Sequence, residues 1–139
     1  MTQTLTFEGT EISFEASEAD APNIKRIITD LIEKEGFVNI DVDDVKSIVD
    51  GEANVVAGEG IGTGDERCSD AALEAVKVIK GAKKLLLAIT TGPEISLMEM
   101  TGAAMAVEEA ADPDASVIWG HVIDEAMGDS VKVSVVAAK

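Results

Sequence analysis

The stretch GFVNIDVDDV occupies positions 36–45 and separates two segments that have the apolar spacing of helices. In the segment before it, apolar residues recur every three or four positions, as on one face of an amphipathic helix: Ile24, Ile27, Ile28, Leu31 and Ile32. Pro22 suits the first turn of that helix, and Gly36 lies just past its end. Asp41 is a good N-cap for the second helix, whose first turn holds two further acids. The stretch is therefore predicted to be a loop that joins two helices.

Strand patterns flank this helical region. Residues 4–16 alternate apolar and polar side chains about Glu8-Gly9-Thr10, which predicts a β-hairpin. The elements predicted downstream are a short strand over 53–57, a glycine-rich connection over 58–64, a helix over 65–79, a strand over 84–91, a helix capped by Ser96 and Glu99 that runs to about Ala110, and two strands over 117–123 and 131–137 that close the chain as a hairpin. This order predicts an α/β or α+β fold with a mixed sheet, in which residues 1–21 are a hairpin appendage and 22–139 are the domain.

The charge of the chain excludes several classes of partner. Its formal net charge is −16, from 27 acidic and 11 basic residues, and Lys83-Lys84 is the longest basic cluster. Phosphate contacts need clustered cations, so neither nucleic acid nor an anionic membrane is an expected partner. The aliphatic run Leu85 to Ile89 is too short to span a bilayer, and no signal peptide is evident. With a single cysteine, the chain is expected to be cytoplasmic.

Few residues outside the loop suggest chemistry. The glycines between Gly58 and Gly64 do not have the spacing of a phosphate loop, and no lysine follows them. His121 is interpreted as a packed or a surface histidine and Cys68 as a small helix residue, because neither has the partners that a metal site or a triad requires. Three methionines of the fourth helix are predicted to fill the core: Met98, Met100 and Met105. On spacing alone, the acids that follow Asn39 are helix caps rather than a site.

The same loop resembles the synergy loop of FtsZ and its tubulin relatives. The pattern Asn-x-Asp-x-x-Asp of that loop is met by Asn39, Asp41 and Asp44. The resemblance continues in order through residues 54–67, 115–125 and 131–137, and covers the chain from about Pro22 to its end. It implies the fold of the family's C-terminal domain, a mixed sheet of about four strands with helices packed on it.

The resemblance also implies a role for the loop in a filament. In the family, the loop enters the nucleotide pocket of the next subunit, so Asp41 and Asp44 would position the water that attacks the γ-phosphate of GTP. Asn39 would contact the partner's nucleotide. The expected interface also includes three neighbours: Phe37, Val38 and Asp43. Nothing in the chain resembles the family's GTP-binding domain, so we expect no bound metal or cofactor, no GTPase activity by the chain alone, and GTP with Mg²⁺ only at a partner's site.

Three functional hypotheses follow. In the first, the chain docks on the nucleotide end of an FtsZ-type subunit and modulates filament assembly or supplies the two acids in trans. In the second, it is a non-enzymatic interaction domain that forms homo-oligomers through the apolar residues of its hairpin: Leu5, Phe7, Ile12 and Phe14. In the third, Asp41 and Asp44 act directly in a small-molecule enzyme. The sequence also leaves open whether the chain is a domain excised from a longer protein.

Overall fold

Two β-sheets organise the chain. The computed structural model describes all 139 residues. Its helices and strands are β1 (Thr2–Phe7), β2 (Thr10–Glu15), α1 (Ala21–Glu33), α2 (Val42–Val49), β3 (Val55–Gly62), α3 (Arg67–Ala75), β4 (Lys84–Thr91), α4 (Leu97–Ala110), β5 (Ser116–Ile123) and β6 (Val131–Ala138). Strands β1 and β2 form a separate hairpin, and the other four strands form a mixed sheet on which the helices pack. The predicted fold class is confirmed.

The strand order of the larger sheet corrects one prediction. The order is β3-β6-β4-β5, with β6 antiparallel to both of its neighbours and β4 parallel to β5. The prediction that the last two strands form a closing hairpin is therefore wrong. Strand β6 does not pair with β5 but lies between β3 and β4. Its side chains are buried along almost all of its length, which suits a central strand, whereas β5 is only half-buried and lies at an edge.

Strand β4 separates the two halves of the core. Its side chains alternate between the two faces of the sheet, and all from Leu85 onward are buried. Leu85, Leu87 and Ile89 pack in the cluster that contains α3 and α4. Leu86 and Ala88 pack in the opposite cluster, with α1, α2 and the hairpin. This burial on both faces explains why the strand is a continuous apolar run in the sequence.

The glycine-rich stretch is a strand, not the connection that the sequence predicted. Strand β3 extends through Gly58 and Gly60 to Gly62, paired with β6 along its whole length. These three glycines lie on one face of the strand, and the backbone of α3 occupies the space where their side chains would be. Glycine is needed here for close helix packing rather than for a flexible loop.

The hairpin packs on the rest of the chain. Ile12 and Phe14 are buried in one cluster with residues of α1 and α2. Backbone bonds tie β2 to the segment before β3, with the Glu15 N–H donating to the Glu52 carbonyl (2.9 Å) and the Gly51 N–H to the Ser13 carbonyl (2.7 Å). The apolar face considered for homo-oligomers is thus largely occupied within one chain. The division at residue 21 remains a prediction.

The methionines of α4 are not all in the core. Met100 is fully buried, as predicted, but Met98 and Met105 are 85% and 54% exposed. The prediction was wrong for these two because α4 packs on α3 and the sheet with one face only, and both side chains lie on the other. None of the helices combines the length and the apolar character that a membrane-spanning segment requires.

Candidate functional site

The loop between α1 and α2 lies along the outer edge of β5. The Ile123 N–H donates to the Glu35 carbonyl (2.9 Å), and the His121 N–H donates to the Val38 carbonyl (2.7 Å). The loop thus satisfies donors of an edge strand that would otherwise be open to pairing with another chain. Gly36 permits this approach, because a Cβ there would lie 1.9 Å from the His121 carbonyl oxygen.

The side chain of Asn39 stabilises the loop through two hydrogen bonds to the backbone of Gly36. Its Oδ1 accepts from the Gly36 N–H (3.2 Å), and its Nδ2 donates to the Gly36 carbonyl (3.0 Å). The side chain is exposed, and the second hydrogen of Nδ2 has no partner in the chain. Asn39 therefore has an observed structural role. Its predicted contact with a partner's nucleotide stays a prediction.

Asp41 and Asp44 form a reciprocal capping box at the start of α2. Asp41 Oδ1 accepts from the Asp44 N–H (2.9 Å), and Asp44 Oδ2 accepts from the Asp41 N–H (3.2 Å). Each carboxylate uses one oxygen in the cap and leaves the other unbonded within the chain. Asp43 lies between them, is exposed, and forms no hydrogen bond or ion pair. The structure brings the predicted acids together at one exposed helix end.

The capping box predicts a measurable difference between neighbouring acids. Asp41→Ala should lower the free energy of unfolding by about 1 kcal/mol, because the Asp44 N–H loses its acceptor. Asp43→Ala should change it by less than about 0.5 kcal/mol, since this side chain has no partner. Urea denaturation followed by circular dichroism measures both. Equal losses for the two variants would show that the cap contributes nothing.

His121 is the residue of this site that sequence reasoning missed. It is 1% exposed, and its Nδ1 accepts from the Phe37 N–H (3.0 Å). Its Nε2 lies 2.7 Å from Thr91 Oγ1, which in turn donates to the Gly92 carbonyl (2.6 Å). Burial lowers the pKa of the imidazole. A polar residue in an apolar strand was the signal available, but it did not indicate which loop the ring would contact.

Two more predicted interface residues differ in exposure. Phe37 is 57% exposed, and its ring centroid lies 5.1 Å from that of His121. Val38 is half-buried against β5. A groove of about 500 Å³ also borders the loop, lined on its far side by Phe7 and Glu8 of the hairpin tip and on its near side by Asp41. The exposed surface at this end therefore combines an aromatic ring with carboxylates.

The acids at this helix end do not form a metal centre. No group of three or more His, Cys, Asp or Glu side chains in the chain is arranged to hold a metal ion. Asp41 and Asp44 face each other's backbone N–H groups rather than a common point. What the arrangement offers chemically is two hydrogen-bond-accepting oxygens on a fixed helix terminus.

Comparison with known proteins identifies the family. Residues 51–139 match the model of the FtsZ family, C-terminal domain. Cell division protein FtsZ of Rhizobium radiobacter is 40% identical over 117 residues, which cover 79% of this chain and 20% of the relative. An empty FtsZ dimer of M. jannaschii superposes with a TM-score of 0.76 at 28% identity, covering 84% of this chain and 36% of the other. A tryptophan-to-tyrosine mutant of M. jannaschii FtsZ gives 0.76 at 27% identity, covering 84% and 37%.

The fold is thus that of a domain of the tubulin superfamily. The chain belongs to the FtsZ family of cell division proteins, through that family's C-terminal domain. It spans about a fifth of the length of the curated relative described above. The family model begins at residue 51, so the loop and its acids lie outside the matched residues.

Proposed function

We propose that the chain docks through residues 36–44 on the nucleotide end of an FtsZ-type subunit and modulates filament assembly there. The single observation that carries the proposal is the loop itself, whose backbone is fixed to β5 while Phe37, Asp41 and Asp43 remain exposed and Asp44 is half-buried. A preformed loop loses little conformational freedom when it binds. The proposed partner is an FtsZ-type GTPase or a second copy of this chain.

The two acids are suited to complete a GTPase site in trans. Each has one carboxylate oxygen free of the cap, at the start of α2. Hydrolysis requires an oriented water, and a carboxylate that accepts a hydrogen bond can hold one in line with the γ-phosphate. The free Nδ2 hydrogen of Asn39 would contact the nucleotide, and Phe37 and Val38 would bury apolar surface. GTP and Mg²⁺ would belong to the partner's pocket.

A second function is favoured by a different observation. Asp41 and Asp44 are fully accounted for as a capping box, so their presence needs no catalytic explanation. On this alternative, the chain is a non-enzymatic interaction domain that kept the fold but does not take part in polymerisation. The two functions differ in whether removing the charges of the acids changes any filament property.

The test is a titration of the 139-residue chain into polymerising FtsZ from the same source, with GTP turnover and polymer mass followed together. The test variant is Asp41→Asn with Asp44→Asn, because asparagine caps a helix as well as aspartate but carries no charge. We expect the wild-type chain to reduce polymer mass at substoichiometric amounts. The variant should still fold and should lower any turnover supplied in trans by roughly 100-fold.

A matched control comes from another helix. Asp70→Asn also removes an exposed acid from the first turn of a helix, on α3. It should behave as the wild type in both signals. If the wild-type chain changes neither signal at concentrations well above that of filament ends, docking is wrong and the interaction domain is the better account. If the double variant and the wild type give the same turnover, the acids have no catalytic role.

A further inference from the structure

The hydrogen bonds around His121 allow only one protonation state. The Phe37 N–H can only donate, so the His121 Nδ1 that it contacts must carry a lone pair. The Gly92 carbonyl can only accept, so the Thr91 hydroxyl donates to it. Thr91 Oγ1 is then left as an acceptor for Nε2, which must carry the proton. The network therefore assigns the neutral Nε2–H tautomer.

A proton on Nδ1 would break this network at the loop. Two donors, the new Nδ1–H and the Phe37 N–H, would then face each other over 3.0 Å. The ring is 1% exposed, so water cannot take over the lost bond without an opening of the loop. The charged form is also disfavoured by burial, which is the cause of the lowered pKa of the ring. The charged residues on the neighbouring elements are Lys34, Glu35, Asp41 and Asp124.

We propose that His121 is the positioning residue of loop 36–39, holding it against β5 as a neutral imidazole and releasing it when Nδ1 takes up a proton. The consequence for docking rests on the function proposed above, since it assumes that the fixed loop is the form that binds. His121 contacts no partner or nucleotide in this scheme. It acts through the Phe37 N–H and through its own backbone N–H on the Val38 carbonyl.

The direction of the pH effect follows from the lowered pKa of the buried ring. The unfolded chain, or the opened loop, binds a proton more readily than the closed form near neutral pH. The loop is thus fully held against β5 above about pH 6.5, the ordinary pKa of histidine. It is released from β5 as the pH falls through the pKa of His121 in the closed form, which is lower. The ordinary pKa values of carboxylates lie about two units below that of histidine, and a variant without the imidazole separates their effect from that of the ring.

The first measurement is NMR of the ring and the loop in the isolated chain. His121 is the only histidine, so its ring ¹⁵N signals need no assignment among others. As the pH is lowered from 8 towards the acid limit of the folded chain, we expect the Nδ1 signal to change from the unprotonated to the protonated position, and the Phe37 amide to shift with the same midpoint. A ring that titrates while the Phe37 amide stays still, or a ring with its proton on Nδ1 at pH 8, would overturn the proposal.

Two substitutions separate positioning from simple packing. His121→Asn keeps an acceptor that can reach the Phe37 N–H but does not titrate, so it should hold the loop at every pH in this range. His121→Phe keeps the ring volume but removes the acceptor, so the loop amides should exchange rapidly even at pH 8. The same pH-dependent loop release in His121→Asn would refute the role of the ring. If His121→Phe does not fold, the ring signals of the wild type and the loop of His121→Asn still test the proposal.

The effect on docking is tested by the filament titration at two pH values. One pH unit below the pKa of the closed form, only about a tenth of the chain retains the fixed loop, so wild-type capping should weaken by roughly tenfold. His121→Asn should lose none of its effect, and the ratio of the two chains cancels any pH dependence of the filament itself. A pH-coupled loop without capping at any pH would refute the proposed function and leave the role of His121 intact. Both proposals would be refuted if the capping by the wild type relative to His121→Asn does not change with pH and the Phe37 amide does not shift with the ring.

Discussion

Gly60→Ala is expected to lower the free energy of unfolding by about 3 kcal/mol or more, at the upper end of the range for overpacked cores. A Cβ at Gly60 would lie 2.2 Å from the Ala71 carbonyl oxygen and 2.5 Å from Glu74 Cβ. The first of these atoms belongs to the backbone of α3 and cannot swing away as a side chain would. The helix must therefore lift from the sheet, which opens contacts along the whole α3–β3 packing.

The matched control is a glycine with free space around it. Gly102 lies inside α4, and a Cβ there would meet nothing within 4 Å. Gly102→Ala should stabilise the chain by about 1 kcal/mol, because alanine restricts the unfolded chain and favours a helix. Both changes are measured by urea denaturation. A loss below about 1 kcal/mol for Gly60→Ala would mean that α3 is not held as closely to β3 as the structure indicates.

The glycines of β3 show why part of the fold could not be predicted. Their neighbours follow the helix repeat, with Gly58 against Ala75, Gly60 against Ala71 and Gly62 against Arg67. Glycine is uncommon in strands, so the local sequence favoured a loop. Only the position of a helix elsewhere in the chain shows that the missing side chains make room for it. The requirement is tertiary and leaves no local pattern.

Elements whose signals are local were predicted well. Strand β4 has the predicted bounds, because a run of aliphatic residues between a lysine and a glycine-proline pair is distinctive. The Ser96 hydroxyl accepts from the Glu99 N–H, as its spacing predicted. The Glu99 carboxylate, however, does not return to the cap but pairs with Arg67 (2.8 Å), which lowers the pKa of Glu99. The capping box predicted from the spacing is therefore only half formed, because Glu99 pairs with a residue distant in the sequence.

The candidate site divides in the same way. Asp41 and Asp44 were found because capping and the family pattern both depend on short spacing. The contact of His121 with Phe37 joins residues 84 positions apart, and no single-sequence pattern reports such a pair. The insertion of β6 between β3 and β4 was missed for the same reason, since consecutive strands more often pair with each other.

The second large effect is expected in the hairpin, where Phe14→Ala should lower the free energy of unfolding by about 3–5 kcal/mol. Phe14 is 2% exposed, in one cluster with α1 and α2, so its removal leaves a cavity that the surrounding elements cannot fill. A domain of this size is stable by roughly 5–15 kcal/mol, so the variant should approach the limit of folding at 37 °C. Thermal and urea denaturation both measure the change.

Phe37 supplies the matched control, because it is the same residue type at 57% exposure. Phe37→Ala should cost less than about 1 kcal/mol, since the side chain loses only its contact with the His121 ring. A large difference between the two variants would mean that the hairpin completes the core on the face of α1 and α2. Equal small losses would mean that the hairpin, which the sequence predicts to be an appendage over residues 1–21, contributes little to the core. In the first case, the buried hairpin face is not available to a partner, and binding surfaces must be sought at the loop end.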